Sequence, residues 1–215
     1  STEVKRRTGR AILPNDTNFC YVPGWESEDY RIWNAAKLIP AGADIVLNIH
    51  YQTNGKAGVD RSKIGFTVAK APPSKKFVQL GAGADAGAAA VGAPPLATPV
   101  AAANISRIQI PPYEGNYLAP PQDITFLKDV ELVWLWAHAH VRGKSAQFKL
   151  IYPGGREEIV LDIPRYSFNW QLAYRTSVKV PKGTRIHIEF RYDNSTNNKF
   201  NPDPSKWVYD GDQTW

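Results

Sequence analysis

The sequence predicts an all-β fold, an antiparallel jelly-roll-like β-sandwich in two parts joined by an Ala/Gly/Pro-rich linker. Three observations carry this expectation. Short segments place apolar residues at every second position, clusters of turn residues separate them at regular intervals, and helical periodicity is almost absent. Sixteen Gly and 17 Pro among 215 residues suit many turns and few long helices.

Taken in order, Tyr30 to Lys37 is the one stretch with a trace of helical period. Ile45 to Tyr51 alternates, with Ile45, Leu47, Ile49 and Tyr51 on one face and Asn48, His50 and Gln52 on the other. Gly81 to Ala103 then breaks the composition: 11 Ala, 4 Gly and 3 Pro, with Asp85 its only charge. Such a segment buries little apolar surface and reads as a linker or surface insertion. It divides the chain into 1–80, the end of a first β domain, and 104–215, a second β domain. In the second part, Val130, Leu132, Trp134 and Trp136 line up at spacing two with His138 and His140. Further strands are expected over Gln147–Tyr152, Glu158–Ile163, Phe168–Tyr174 and Thr184–Tyr192. Their turn signals include Pro153-Gly154-Gly155 and Pro181-Lys182-Gly183.

With 43% hydrophobic and 21% charged residues, the chain matches a soluble globular protein rather than a disordered, collagenous or coiled-coil one. The net charge is +6, but apart from Lys5, Arg6 and Arg7 the basic residues are scattered. That dispersal favours a solvated surface, and no nucleic-acid-binding motif is visible. Cys20 is the sole cysteine, so no internal disulfide forms and a buried structural thiol is expected. Ser1 in place of Met suggests a processed or excerpted chain. The uncharged residues Ala86 to Ala103 include Pro94, Pro95 and Pro99 and make a poor membrane span.

Three of the four histidines stand where chemistry can use them. Residues i and i+2 of a strand lie roughly 6.5–7 Å apart, so His138 and His140 can reach one metal. Imidazole suits zinc, copper, iron or nickel alike. The alternative is two polar residues where a strand leaves the core, and spacing alone does not separate the two readings. His50 reads as a half-buried strand histidine bonded to a carbonyl, and His187, among Arg185, Glu189 and Arg191, as a solvated one. No nucleophile elbow, P-loop or dinucleotide fingerprint is present. The Asp193–Asn198 and Asn201–Asp203 clusters read as turns whose side chains bond their own backbone rather than as a calcium loop.

The segment His138-Ala139-His140-Val141-Arg142-Gly143-Lys144 resembles the His-x-His-x-x-Gly-Lys stretch of copper type II, ascorbate-dependent monooxygenases, the peptidylglycine and dopamine hydroxylase family. Bacterial homologues are the nearer match. To these the chain is similar in Pro40 to Tyr51, Thr53 to Lys56, Pro164 to Gln171, Asp193-Asn194-Ser195, Asn201 to Pro204 and Gly211 to Trp215. The likeness covers most of 19–80 and 104–215.

The resemblance implies two jelly-roll-like domains with one copper each. One copper, held by three His, passes electrons from ascorbate; the other, held by two His and a Met, activates oxygen to hydroxylate a C–H bond. By position His138 and His140 match the oxygen-activating pair, and His50 the third His of the electron-transfer site. The Met of the oxygen-activating site and the His-His pair of the electron-transfer site fall outside these 215 residues. Ala137 and Ala139 stand where relatives tend to carry Pro and Met.

Two functions follow as expectations. One is a copper monooxygenase-like protein using a small substrate and an ascorbate-like reductant, its remaining ligands supplied from outside this chain. The other is a non-catalytic subunit of a larger complex that kept the fold and lost its copper, with Trp25, Trp33 and Trp207 as candidate contacts. As it stands, the chain completes neither copper site. Either reading implies an extracytoplasmic location, the bacterial periplasm.

Overall fold

A computed structural model describes residues 20–25, 27–39, 41–42, 45, 47, 49, 51, 55–79, 100–103 and 108–209. Among these residues, in chain order, lie the strands β1 (Ala35–Ala36), β2 (Lys75–Lys76), β3 (Val100–Ala103), β4 (Gln109–Ile110), β5 (Tyr117–Leu118), β6 (Gln122–Phe126), β7 (Val130–Trp136), β8 (Gly143–Ile151), β9 (Glu157–Ile163), β10 (Ala173–Val180), β11 (Arg185–Tyr192) and β12 (Val208–Tyr209). The described residues contain no α-helix. The expected all-β class is therefore what forms, mostly as antiparallel pairs. No described helix is long and apolar enough to cross a membrane.

The main sheet runs β3-β6-β11-β8-β9, with β5 alongside the far end of β11. Its middle is set by period-two alternation. Ala146, Phe148 and Leu150 of β8 and Ile186 and Ile188 of β11 turn inward, while Lys149 and His187 stand opposite one another on the other face. The β8–β9 turn uses Gly154 and Gly155 at φ of +92° and +90°, a conformation open to glycine at no steric cost.

A separate antiparallel pair, β7–β10, adds Leu135, Ala137 and Val180 to the same core as Ile124, Phe126, Phe148, Leu150 and Leu161. Two β10 residues lie opposite one β7 residue between the Leu132–Val178 and Trp134–Arg175 pairs, an irregularity of the kind that re-aims side chains. A second, smaller core gathers Ile110, Ala119, Ala139 and Tyr192 beneath the β4–β12 pair.

Several expectations need correction. Strand formation over Ile45–Tyr51 does not occur at the described positions. Ile45, Leu47, Ile49 and Tyr51 carry no ladder pairing and are exposed, because alternation makes a strand only where a neighbour accepts its backbone bonds. His50 itself lies outside the described residues. Tyr30 to Lys37 forms only a three-residue 3₁₀ turn, Arg31–Trp33, which Asn34 ends in the left-handed conformation before β1 begins. The strand expected over Phe168–Tyr174 starts only at Ala173; Trp170 N–H donates instead to Ser167 O in a turn (3.1 Å). At the end of the Ala/Gly/Pro-rich segment, Val100–Ala103 joins the sheet against β6.

The first part meets the second through an aromatic block. Trp25, 8% exposed, sets its ring edge-on against Trp134 (5.1 Å) and Trp136 (4.8 Å), and Phe77 lies against Trp134 at 6.3 Å. Tyr30 and Trp33 stack on Phe77. Behind them Glu28 accepts from the Tyr30 hydroxyl and pairs with Lys37 at 3.0 Å, and Lys37 also donates to Gln79 (2.8 Å). Lys75 adds an ion pair to Glu131 (2.7 Å). Trp25 is thus core. Trp33 is half-buried, and of the three candidate contacts only Trp207 stands exposed.

Candidate metal centre

β7 ends at Trp136, but its period of two carries on through His140. Ala137 and Ala139 are buried, each in one of the two cores, while the rings of Trp134, Trp136, His138 and His140 follow one another on the opposite side. Successive ring centroids lie 6.4, 5.3 and 5.3 Å apart. Alternation therefore places the two imidazoles on one face, as the sequence predicts. The single apolar ridge expected behind them divides, since Val130 and Leu132 pack with the main core.

Three devices hold the His-Ala-His backbone. The Tyr166 hydroxyl donates to Ala139 O (2.6 Å) and accepts from Ala139 N–H (3.0 Å), clamping the residue between the two ligand candidates. Burial pushes the Tyr166 phenol far above its ordinary pKa, so it stays a donor across the working range. Gly143 N–H donates to His140 O (2.8 Å), closing the following turn.

The third device is a polar network under that turn. Asn194, fully buried, accepts from Arg142 Nε (2.9 Å) and Asn201 Nδ2 (3.0 Å), and donates to Pro111 O (2.8 Å) and Lys206 O (2.9 Å). Arg142 is itself buried, which lowers its pKa against the opposing pull of Asp203. Asn198 donates to Val141 O (3.1 Å), and Asp193 N–H to Arg142 O (2.8 Å). The Asp/Asn-rich clusters thus form the ordered turns expected of them.

His138 has a further partner that spacing does not reveal. Its Nδ1 lies 2.7 Å from Oε1 of Gln171, a side chain 1% exposed and carried by the turn that replaces the expected strand. Gln171 Nε2 donates to Phe168 O (2.8 Å), and its backbone N–H to Pro23 O (2.9 Å). Pro164 and Asn169, turn residues flanking Tyr166 and Phe168, are the sequence signal that argues against a strand there. Removing the Tyr166 hydroxyl leaves Ala139 N–H and C=O without it. Tyr166→Phe is therefore expected to destabilise the protein by about 1–3 kcal/mol in a urea titration.

His187 is bound rather than merely solvated. Its Nδ1 lies 2.8 Å from Asp123 of β6 and its Nε2 3.2 Å from Glu189, while Arg185 pairs with Asp123 at 3.0 Å. The register that sets His187 opposite Asp123 brings these groups together across two strands. Cys20 is a partly buried free thiol whose pKa is raised, first by burial and then by Glu28.

Among the described residues no group of three or more His, Cys, Asp and Glu is arranged to hold a metal. No family model matches this chain, and no curated protein or solved structure does.

Proposed function

We propose that the chain is a copper monooxygenase-like protein built on a jelly-roll-like sandwich, and that His138 and His140 hold its copper. The observation that carries this reading is the ordered pair itself: two imidazoles on one face, ring centroids 5.3 Å apart, with the Ala139 backbone between them clamped by a buried tyrosine. Such rigidity around two exposed or half-buried polar side chains is costly to build and suits a metal centre better than a strand end. The donor set fits copper, because imidazole nitrogen binds it well.

Bound copper supplies one-electron and oxygen chemistry for hydroxylating a C–H bond of a small substrate, with electrons from an ascorbate-like reductant. This chain's own residues do the rest. His138 and His140 bind, Gln171 orients His138, and the Trp136 ring packs 5.3 Å from that of His138. A third ligand, and the electron-transfer copper in which His50 takes part, belong to the same reading. So does a periplasmic location.

The test is anaerobic titration of the full chain with copper(I), followed by ascorbate-driven oxygen uptake. Near-stoichiometric binding is expected, lost in both His138→Ala and His140→Ala while circular dichroism is unchanged. Binding that survives in both variants removes the assignment. A native protein that takes up no copper favours the other function, a non-catalytic subunit of a larger complex.

A further inference from the structure

We infer that Gln171 is the positioning residue of the histidine pair: its buried amide commits His138 to the tautomer with the proton on Nδ1 and the lone pair on Nε2. The purpose of this device rests on the metal-binding reading above, although its geometry does not. A glutamine amide has one accepting side and one donating side. Phe168 O only accepts, and it lies 2.8 Å from Gln171 Nε2. That contact turns Oε1 toward His138 Nδ1 at 2.7 Å, and an oxygen cannot donate. Nδ1 must therefore carry the hydrogen. A flipped amide would set Oε1 against the Phe168 carbonyl, two acceptors facing each other at a site where Gln171 is 1% exposed.

The Gln171 backbone that carries this amide is in turn held from the first part of the chain. Gln171 N–H donates to Pro23 O (2.9 Å), and the next residue, Gly24, has φ +96°. A Cβ on Gly24 would lie 3.0 Å from Gln171 N, so glycine is what lets the Pro23–Trp25 strap come this close. Trp25 anchors the strap among Trp134 and Trp136, whose strand leads to His138. The strap thus helps to place the residue whose amide orients a histidine far along the sequence. An imidazole free to exchange tautomers must move a proton or turn its ring before it binds. Here that choice is made in advance, and the acceptor on Nδ1 makes Nε2 a better base.

The experiment uses the full chain, metal-free and 15N-labelled, at alkaline pH where the ring is neutral. Long-range 1H–15N correlation reads which nitrogen of His138 is protonated. Wild type is expected to show Nδ1–H alone. Gln171→Leu is expected to show a mixture of tautomers, and to bind copper(I) about 10- to 100-fold more weakly. Should Gln171→Leu fail to fold, Gly24→Ala, which pushes the strap off Gln171, is expected to shift the same signals part-way. Wild-type His138 protonated on Nε2, or an unchanged tautomer in the folded Gln171→Leu variant, overturns the inference. The expected tautomers in a protein that binds no copper(I) would support the role of Gln171 and remove the copper reading alone.

Discussion

Asn194→Ala is expected to destabilise the protein by about 3–5 kcal/mol, the largest effect of any single side chain in the polar network. The reason is what it leaves behind. Arg142 keeps its charge in a buried position but loses the Nε acceptor at 2.9 Å, with only the longer contact to Asp203 O (3.4 Å) recorded beside it. The carbonyls of Pro111 and Lys206 lose the donor they share, and Asn201 loses an acceptor. A net hydrogen bond contributes only about 1 kcal/mol, so the expected size comes from stranded partners, above all the buried guanidinium. A urea titration with an unchanged slope checks it. Arg142→Met in the Asn194→Ala background removes the stranded charge and is expected to cost less than the two single losses added together. Strict additivity would show that Asn194 does not support Arg142.

That network matters to the histidines because of where it sits. Asn198 and Asp193 bond the backbone of Val141 and Arg142, the two residues directly after His140. Loosening it should blur His140 before it disturbs the main sheet, whose core of Phe148, Leu150, Ile186 and Ile188 lies elsewhere. Backbone amide exchange is expected to rise first at 140–143.

How far the sequence reveals this arrangement depends on the range of the interactions. The β8, β9 and β11 strands follow from alternation and from Gly154, Gly155 and Gly183 in the turns, all local signals. The shared face of His138 and His140 is likewise a consequence of period two. At the described positions of Ile45–Tyr51 alternation makes no strand, because a strand also needs a neighbour and residue order does not say where one is. It fails again at Phe168–Tyr174, where the backbone N–H of Gln171 goes to Pro23 rather than to a ladder. Gln171, 33 residues from His138, and Asp123, 64 residues from His187, become partners only through tertiary packing. The supporting residues of the candidate centre were thus the least legible, while its two imidazoles were plain.

Gly143→Ala is expected to cost about 3 kcal/mol, the upper end of the usual range for overpacking, and to disorder the histidine pair as well. Gly143 is not one of the positive-φ glycines, so conformational freedom is not the issue; space is. An added Cβ would lie 2.7 Å from Ala139 Cβ and 2.7 and 2.9 Å from two carbons of the Tyr166 ring. Neither neighbour can yield cheaply. Ala139 Cβ is carried directly on the backbone between His138 and His140, and the Tyr166 ring is tethered to that same backbone by its hydroxyl. Relief must come by moving β8 away from Ala139 or Ala139 away from the buried core, and either motion separates the imidazoles from the face they share. Loss of the native His138 and His140 imidazole signals, together with a lowered urea midpoint, checks this. Ala139→Gly in the Gly143→Ala background removes one of the two clashing neighbours and is expected to restore about half of the lost stability. It should restore less of the histidine order, because glycine at 139 frees the backbone that Tyr166 holds. If Gly143→Ala is neutral in both readouts, the close packing of Ala139, Gly143 and Tyr166 is not what fixes the pair.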